Sequence, residues 1–141
     1  MKKIVLFLIS ILGFFTTSCI STLYGIRYAE FELKGKVTDT LDNPIKNIRV
    51  SVKNGDKSIG EVYTDWEGNY LTYNEMYLKR LSMIIVRIED TDGEENEGKF
   101  ITQTITFPLN SYDYIKGKER KKERMYVGKV SKEINFKLEK K

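Results

Sequence analysis

From residue 28 onward, apolar and polar side chains alternate with a period of two, the spacing of a strand with one buried face. Phe31, Leu33 and Val37 share one parity and Lys34 and Lys36 the other, which predicts a first strand over 28–38. A turn cluster at 39–44 follows, then a second strand in which Ile48, Val50 and Val52 alternate with Arg49, Ser51 and Lys53. Asn54-Gly55-Asp56 is the strongest hairpin signal, because Asn and Gly tolerate positive φ. A third strand is expected over 58–64, a tight turn over 65–69, and a fourth strand from Tyr70 to about Tyr73. Residues 75–81 are ambiguous and have room for one helical turn. The nearly unbroken apolar run at 83–89 predicts a central strand buried on both faces. Residues 90–98 read as a polar loop. The next strand, 100–107, turns Ile101, Ile105 and Phe107 to one side, and 116–124 is a charged run. The closing strand, 130–138, turns Ile134, Phe136 and Leu138 inward. Seven short strands without a long amphipathic helix predict an all-β fold, a single antiparallel seven-strand sandwich.

The N-terminus follows a different pattern. Met1-Lys2-Lys3 precedes an apolar stretch over 4–15, broken only by Ser10 and Gly13, and Thr16-Thr17-Ser18-Cys19 follows. A stretch of twelve residues falls short of the roughly 20 needed to span a bilayer as a helix, so the segment reads as a signal peptide. Cys19 stands where lipoprotein signal peptidase requires its cysteine, with Thr16 in the place where the usual lipobox has Leu. The expected organisation is a lipoprotein signal peptide over 1–18, a lipidated tether over 19–27 and a β-sandwich domain over 28–141. Several acyl chains on Cys19 would anchor firmly, where one chain alone holds marginally. Ile20 after the cysteine gives no inner-membrane retention signal, so the expected location is the outer membrane, facing the periplasm.

Composition narrows the chemistry. A chain of 141 residues, 40% hydrophobic and 31% charged, suits one domain with a core. It contains no His, which removes the commonest general base and the commonest metal ligand. A single Cys excludes an internal disulfide. The formal charge of +4 is not a nucleic-acid signature, since two of the 24 basic residues, Lys2 and Lys3, lie in the segment expected to be removed.

Two groups of motifs carry resemblances. Gly35-Lys36-Val37-Thr38-Asp39, Asn43-Pro44-Ile45, Ile48-Arg49-Val50 and Thr64-Asp65-Trp66-Glu67-Gly68-Asn69-Tyr70 occur in that order. This part of the chain, about 31–73, resembles the carboxypeptidase-regulatory-like, transthyretin-like module. Leu23-Tyr24-Gly25, Ala29-Glu30-Phe31, the Gly35–Asp39 segment and the run from Asp90 to Phe100 together resemble the radical SAM-associated lipoproteins of Bacteroidota. Arg27 stands where that family usually has Pro. The second resemblance implies a radical SAM maturase or an envelope protein as partner, and no activity of the chain itself. Transthyretin-related hydrolases and intradiol dioxygenases use sandwiches of this general kind but rely on His, which this chain lacks.

Candidate sites are few. Asp90, Asp92, Glu94 and Asn96 place oxygen-bearing side chains at alternate positions, as a Ca²⁺ loop does. Gly93 falls at the fourth position rather than the sixth, so the EF-hand order fails and a polar turn is the preferred reading; no other cofactor is expected. Trp66, Tyr70 and Tyr73 are candidate ligand-contacting aromatics. Lys116–Arg124 reads as a solvated run diluted by Glu119 and Glu123. Cys19 lacks an activating neighbour and is assigned to lipid rather than to catalysis. The expected function is a non-enzymatic, envelope-tethered binding or scaffolding module. The alternative is a carbohydrate- or peptide-binding accessory of an outer-membrane uptake system, which an exposed aromatic strip near Trp66 would favour.

Overall fold

The computed structural model describes residues 25–78, 82–95, 98–110, 113–114 and 125–141. Eight strands follow one another: β1 (Tyr28–Asp39), β2 (Ile48–Asn54), β3 (Lys57–Tyr63), β4 (Asn69–Tyr77), β5 (Met83–Asp90), β6 (Gln103–Pro108), β7 (Tyr126–Glu133) and β8 (Phe136–Leu138). They form two four-stranded sheets. One runs β4-β1-β7 with β8 also on β1, and the other runs β3-β2-β5-β6. The fold is an all-β sandwich.

The core follows from alternation. Phe31, Leu33, Val37 and Met76 project from the first sheet onto Val50, Val52, Ile84, Val86 and Ile88 of the second. Phe100, Phe136 and Leu138 close one side. There the segments 99–101 and 139–141 are stitched by Ile101 N–H to Glu139 O at 2.9 Å and Lys141 N–H to Lys99 O at 2.8 Å. On the other side Gly60 of β3 lets the sheet edges meet, because a β-carbon there would stand 2.6 Å from the Asn74 side chain on β4.

Five features differ from the expectations. The sheets are not antiparallel throughout: β7 and β8 run parallel to β1. β6 ends where β5 begins, with Pro108 opposite Met83, and β7 starts beside the start of β1, with Tyr126 opposite Tyr28. A chain returning from that end must run alongside β1 in the same direction. The closing strand is split in two, because Ile134 and Asn135 leave the ladder: the Asn135 side chain accepts the Lys36 N–H at 2.8 Å. β5 is buried on one face only, with Ile84, Val86 and Ile88 inward and Met83 and Arg87 exposed, since among the described residues no layer covers the second sheet's outer face. Finally, Phe100 rather than Ile101 is buried, because the pairing with 139–141 shifts parity before β6 begins. Residues 75–77 continue β4 rather than forming a helical turn.

Candidate functional site

The motif residues of the turns meet at one end of the sandwich, and each has a structural task. Val37 N–H donates to Gly68 O at 2.8 Å and Val37 O accepts from Ile45 N–H at 3.1 Å. Gly68 has φ +76°, and a β-carbon on it would stand 2.5 Å from Val37 O. The buried Thr64 hydroxyl donates to Ile45 O at 2.7 Å and accepts from Ile48 N–H at 2.9 Å. Asp65 accepts from the backbone N–H groups of Glu67 and Asn69, and Asp39 does the same for Leu41 and Asn43. The Asn43 amide, followed by those backbone donors, holds the Asp39 carboxyl below the usual carboxylate range. These are turn-closing arrangements, with the acidic oxygens spent on the protein's own N–H groups.

Tyr70 belongs to this construction and not to an exposed strip. It is 4% exposed, and its hydroxyl donates to Ile134 O at 2.6 Å. Burial pushes its phenol well above the ordinary value. Tyr70 and Tyr73 are three residues apart on β4, so they face opposite sides of the sheet. The outward hydrophobic positions of β4 are Leu71, Tyr73 and Tyr77, at 58%, 52% and 55% exposure, with Asn69 and Glu75 on the same face, and Trp66 stands out from the preceding turn at 77%. Leu71 was not singled out because only aromatic side chains were weighed there, and Tyr77 escaped because 75–81 reads as ambiguous; β4 extends to Tyr77 and completes the parity.

Beside Leu71, the outer face of the first sheet holds an open groove of about 460 Å³. Its floor lies at Gly35, and Lys34, Lys36, Asn69, Glu133 and Asn135 surround it. Further along, Lys129 Nζ pairs with Glu32 at 2.5 Å and lies 5.4 Å from the Tyr73 ring centre. The Lys129 hydrogen bond, with help from Ser131, holds the Glu32 carboxyl low, and Glu32 in turn raises the Lys129 ammonium. Apolar side chains flanked by paired charges and amides can hold a ligand that has both an apolar face and hydrogen-bonding groups.

The other candidates are less organised. Asp90 accepts from Asp92 and Gly93 N–H through one oxygen and from Phe100 N–H through the other, and Asp92 accepts from the Asn47 side chain at 2.7 Å. Among the described residues no group of three or more His, Cys, Asp or Glu is placed to hold a metal ion. Asn96 of the expected loop, Cys19 and the run 116–124 lie outside the described residues. On the second sheet's outer face, Glu89 pairs with Arg49 and with Arg87, and the Arg49 hydrogen bond foremost holds its carboxyl low.

No protein-family model matches the chain, and no curated protein matches its sequence. Solved structures do. Chlorocatechol 1,2-dioxygenase from Pseudomonas putida superposes with a TM-score of 0.53 at 12% identity, over 86% of this chain and 64% of the enzyme. The 3-chlorocatechol 1,2-dioxygenase from Rhodococcus opacus 1CP gives 0.50 at 10% identity, over 79% and 60%. The likeness is one of fold. This chain spans less than two thirds of either dioxygenase. The 5-hydroxyisourate hydrolase from Klebsiella pneumoniae also matches, with a TM-score of 0.46 at 14% identity, over 75% of this chain and 89% of that one.

Proposed function

We propose that the chain is a non-catalytic binding module of the cell envelope, anchored through acylated Cys19 and presenting the outer face of its first sheet to a ligand. One observation carries this reading: Leu71 borders an open groove lined by Lys34, Asn69 and Asn135, and Tyr73 and Trp66 are exposed on the same strand and in the turn before it, while the acidic side chains of the resembled motif are tied to turn backbone. Sandwich enzymes of the kind it resembles depend on His, and this sequence has none. The test is a glycan and peptide array probed with the mature domain and with a Trp66→Ala, Tyr73→Ala variant. Retention of a ligand by the intact domain and its loss in the variant, at unchanged Tm, supports the reading; a ligand held equally by both refutes this face as the site.

The exposed aromatics favour the narrower reading of a carbohydrate- or peptide-binding accessory of an outer-membrane uptake system. The partnership with a radical SAM maturase rests on sequence resemblance. Intact mass of the mature protein from its native host tests it together with the anchor. A chain beginning at Cys19 with acyl groups is expected, and mass beyond the acyl groups would mark a maturase product.

A further inference from the structure

The two ends of the sandwich differ in chemistry. The motif turns, with Trp66, occupy one end. At the other, the start of β1, the end of β4, the β2–β3 hairpin and the start of β7 converge. Tyr28 stands opposite Tyr77 on one side and Tyr126 on the other. The Tyr28 and Tyr126 rings lie 5.5 Å apart. Lys57 Nζ sits 4.5 Å from the centre of the Tyr77 ring. Tyr28 N–H donates to Met125 O, and Leu78 N–H donates to Arg27 O.

This end exposes apolar surface. Ile26 is 68% exposed and Tyr77 55%, and between them opens a pocket of about 350 Å³ lined by Ile26, Asn54, Lys57, Ile59, Tyr77 and Leu78. Tyrosines beside exposed aliphatic side chains and lysine or arginine are the composition of a membrane–water interface. There the ring bodies enter the headgroup layer and the cations stay with the phosphates.

The sequence separation between Cys19 and this surface bounds how far it can stand from an anchored lipid. Gly25, the first described residue, enters here: a β-carbon on it would stand 3.0 Å from the Met125 side chain. Cys19 lies six residues earlier. A fully extended chain rises at most about 3.6 Å per residue, so a lipid on Cys19 holds this end within roughly 20 Å of its bilayer. Trp66 sits in the turn before β4, whose first residue Asn69 is about 27 Å from Tyr77 by strand rise.

We infer that the end bearing Ile26, Lys57 and Tyr77 lies against the bilayer in which Cys19 is anchored, with Ile26 and Tyr77 in the headgroup layer and Lys57 at lipid phosphate. This rests on the anchoring reading above and adds an orientation to it. The sandwich stands on the membrane by its tether end and holds the Trp66 end away.

The experiment uses the mature, lipidated full chain in vesicles of phosphatidylethanolamine and phosphatidylglycerol with brominated acyl chains, which quench tryptophan on contact. The natural Trp66 is one reporter; Ile26→Trp in a Trp66→Phe background is the second, and Tyr77→Trp in the same background the third. The second and third reporters are expected to lose about half their emission and shift to the blue, and Trp66 to keep both intensity and wavelength. A chain that floats with the vesicles while all three reporters emit alike overturns the orientation and leaves the anchor standing. A chain that fails to float overturns the anchor and the orientation with it.

Discussion

A β-carbon on Gly35 would stand 1.8 Å from the carbonyl oxygen of Ile134, the same oxygen that receives the Tyr70 hydroxyl. The glycine thus admits the backbone of the closing segment against β1, and the tyrosine caps the carbonyl that this contact pulls out of the ladder. Gly35→Ala is expected to destabilise by about 1–3 kcal/mol, as overpacking does, and Tyr70→Phe by about 1 kcal/mol from the lost hydrogen bond. Because both act on one carbonyl, the double variant should depart from the sum, which urea denaturation of the four proteins measures.

Thr64 bridges two segments with one hydroxyl, donating to Ile45 O and accepting from Ile48 N–H. Thr64→Val keeps the shape and strands both partners in a buried place. A loss of about 1–3 kcal/mol is expected, with Thr64→Ser recovering most of it. Equal Tm for the valine and wild-type proteins would show that the bridge contributes nothing.

Gly68 and Gly93 separate two costs of replacing glycine. Both have positive φ, +76° and +71°, but a β-carbon meets Val37 O at 2.5 Å in the first and nothing within 4 Å in the second. Gly93→Ala should cost about 1 kcal/mol for the left-handed backbone alone. Gly68→Ala should cost that and a further steric share, visible as the difference between their denaturation midpoints.

Acid should weaken the protein through its paired carboxylates. Glu32 and Glu89 are both held below the ordinary value of 4.5, by Lys129 and Arg49 respectively. A carboxyl that is more acidic folded than unfolded contributes stability fully above its unfolded value and loses it as pH falls through the folded one. The urea midpoint should therefore drop as the solution is acidified below about pH 4.5, and drop less steeply in Glu89→Gln. An identical slope in the variant would remove Glu89 from the account.

Period-two alternation made much of this architecture legible. The inward faces of β1 and β2 were readable because one side of each strand is buried and the other is not. Tyr70 and Tyr73 could have been separated by the same rule, since an odd spacing in a strand divides its faces. Other features depend on partners distant in sequence. The apolar composition of β5 suggested burial on both sides, whereas Met83 on the outer face of its sheet is exposed. The parallel course of β7 depends on where β6 ends, and Phe100 is turned inward by 139–141. Pro44 and Gly68 were readable as turn chemistry and Gly35 as a place of close backbone approach within a strand, but the meeting of the turns on Val37 depends on partners distant in sequence.

β1 lies between β4 and the β7–β8 pair, so its second row of hydrogen bonds comes from the end of the chain. A chain that emerges from its N-terminus leaves that row open until 126–138 have followed, with about a hundred residues between Tyr28 and its mate Tyr126. Such a chain cannot complete its first sheet until nearly all of it has been made. Its last strands then act as a latch, and a premature stop before Phe136 would release a domain that cannot shut.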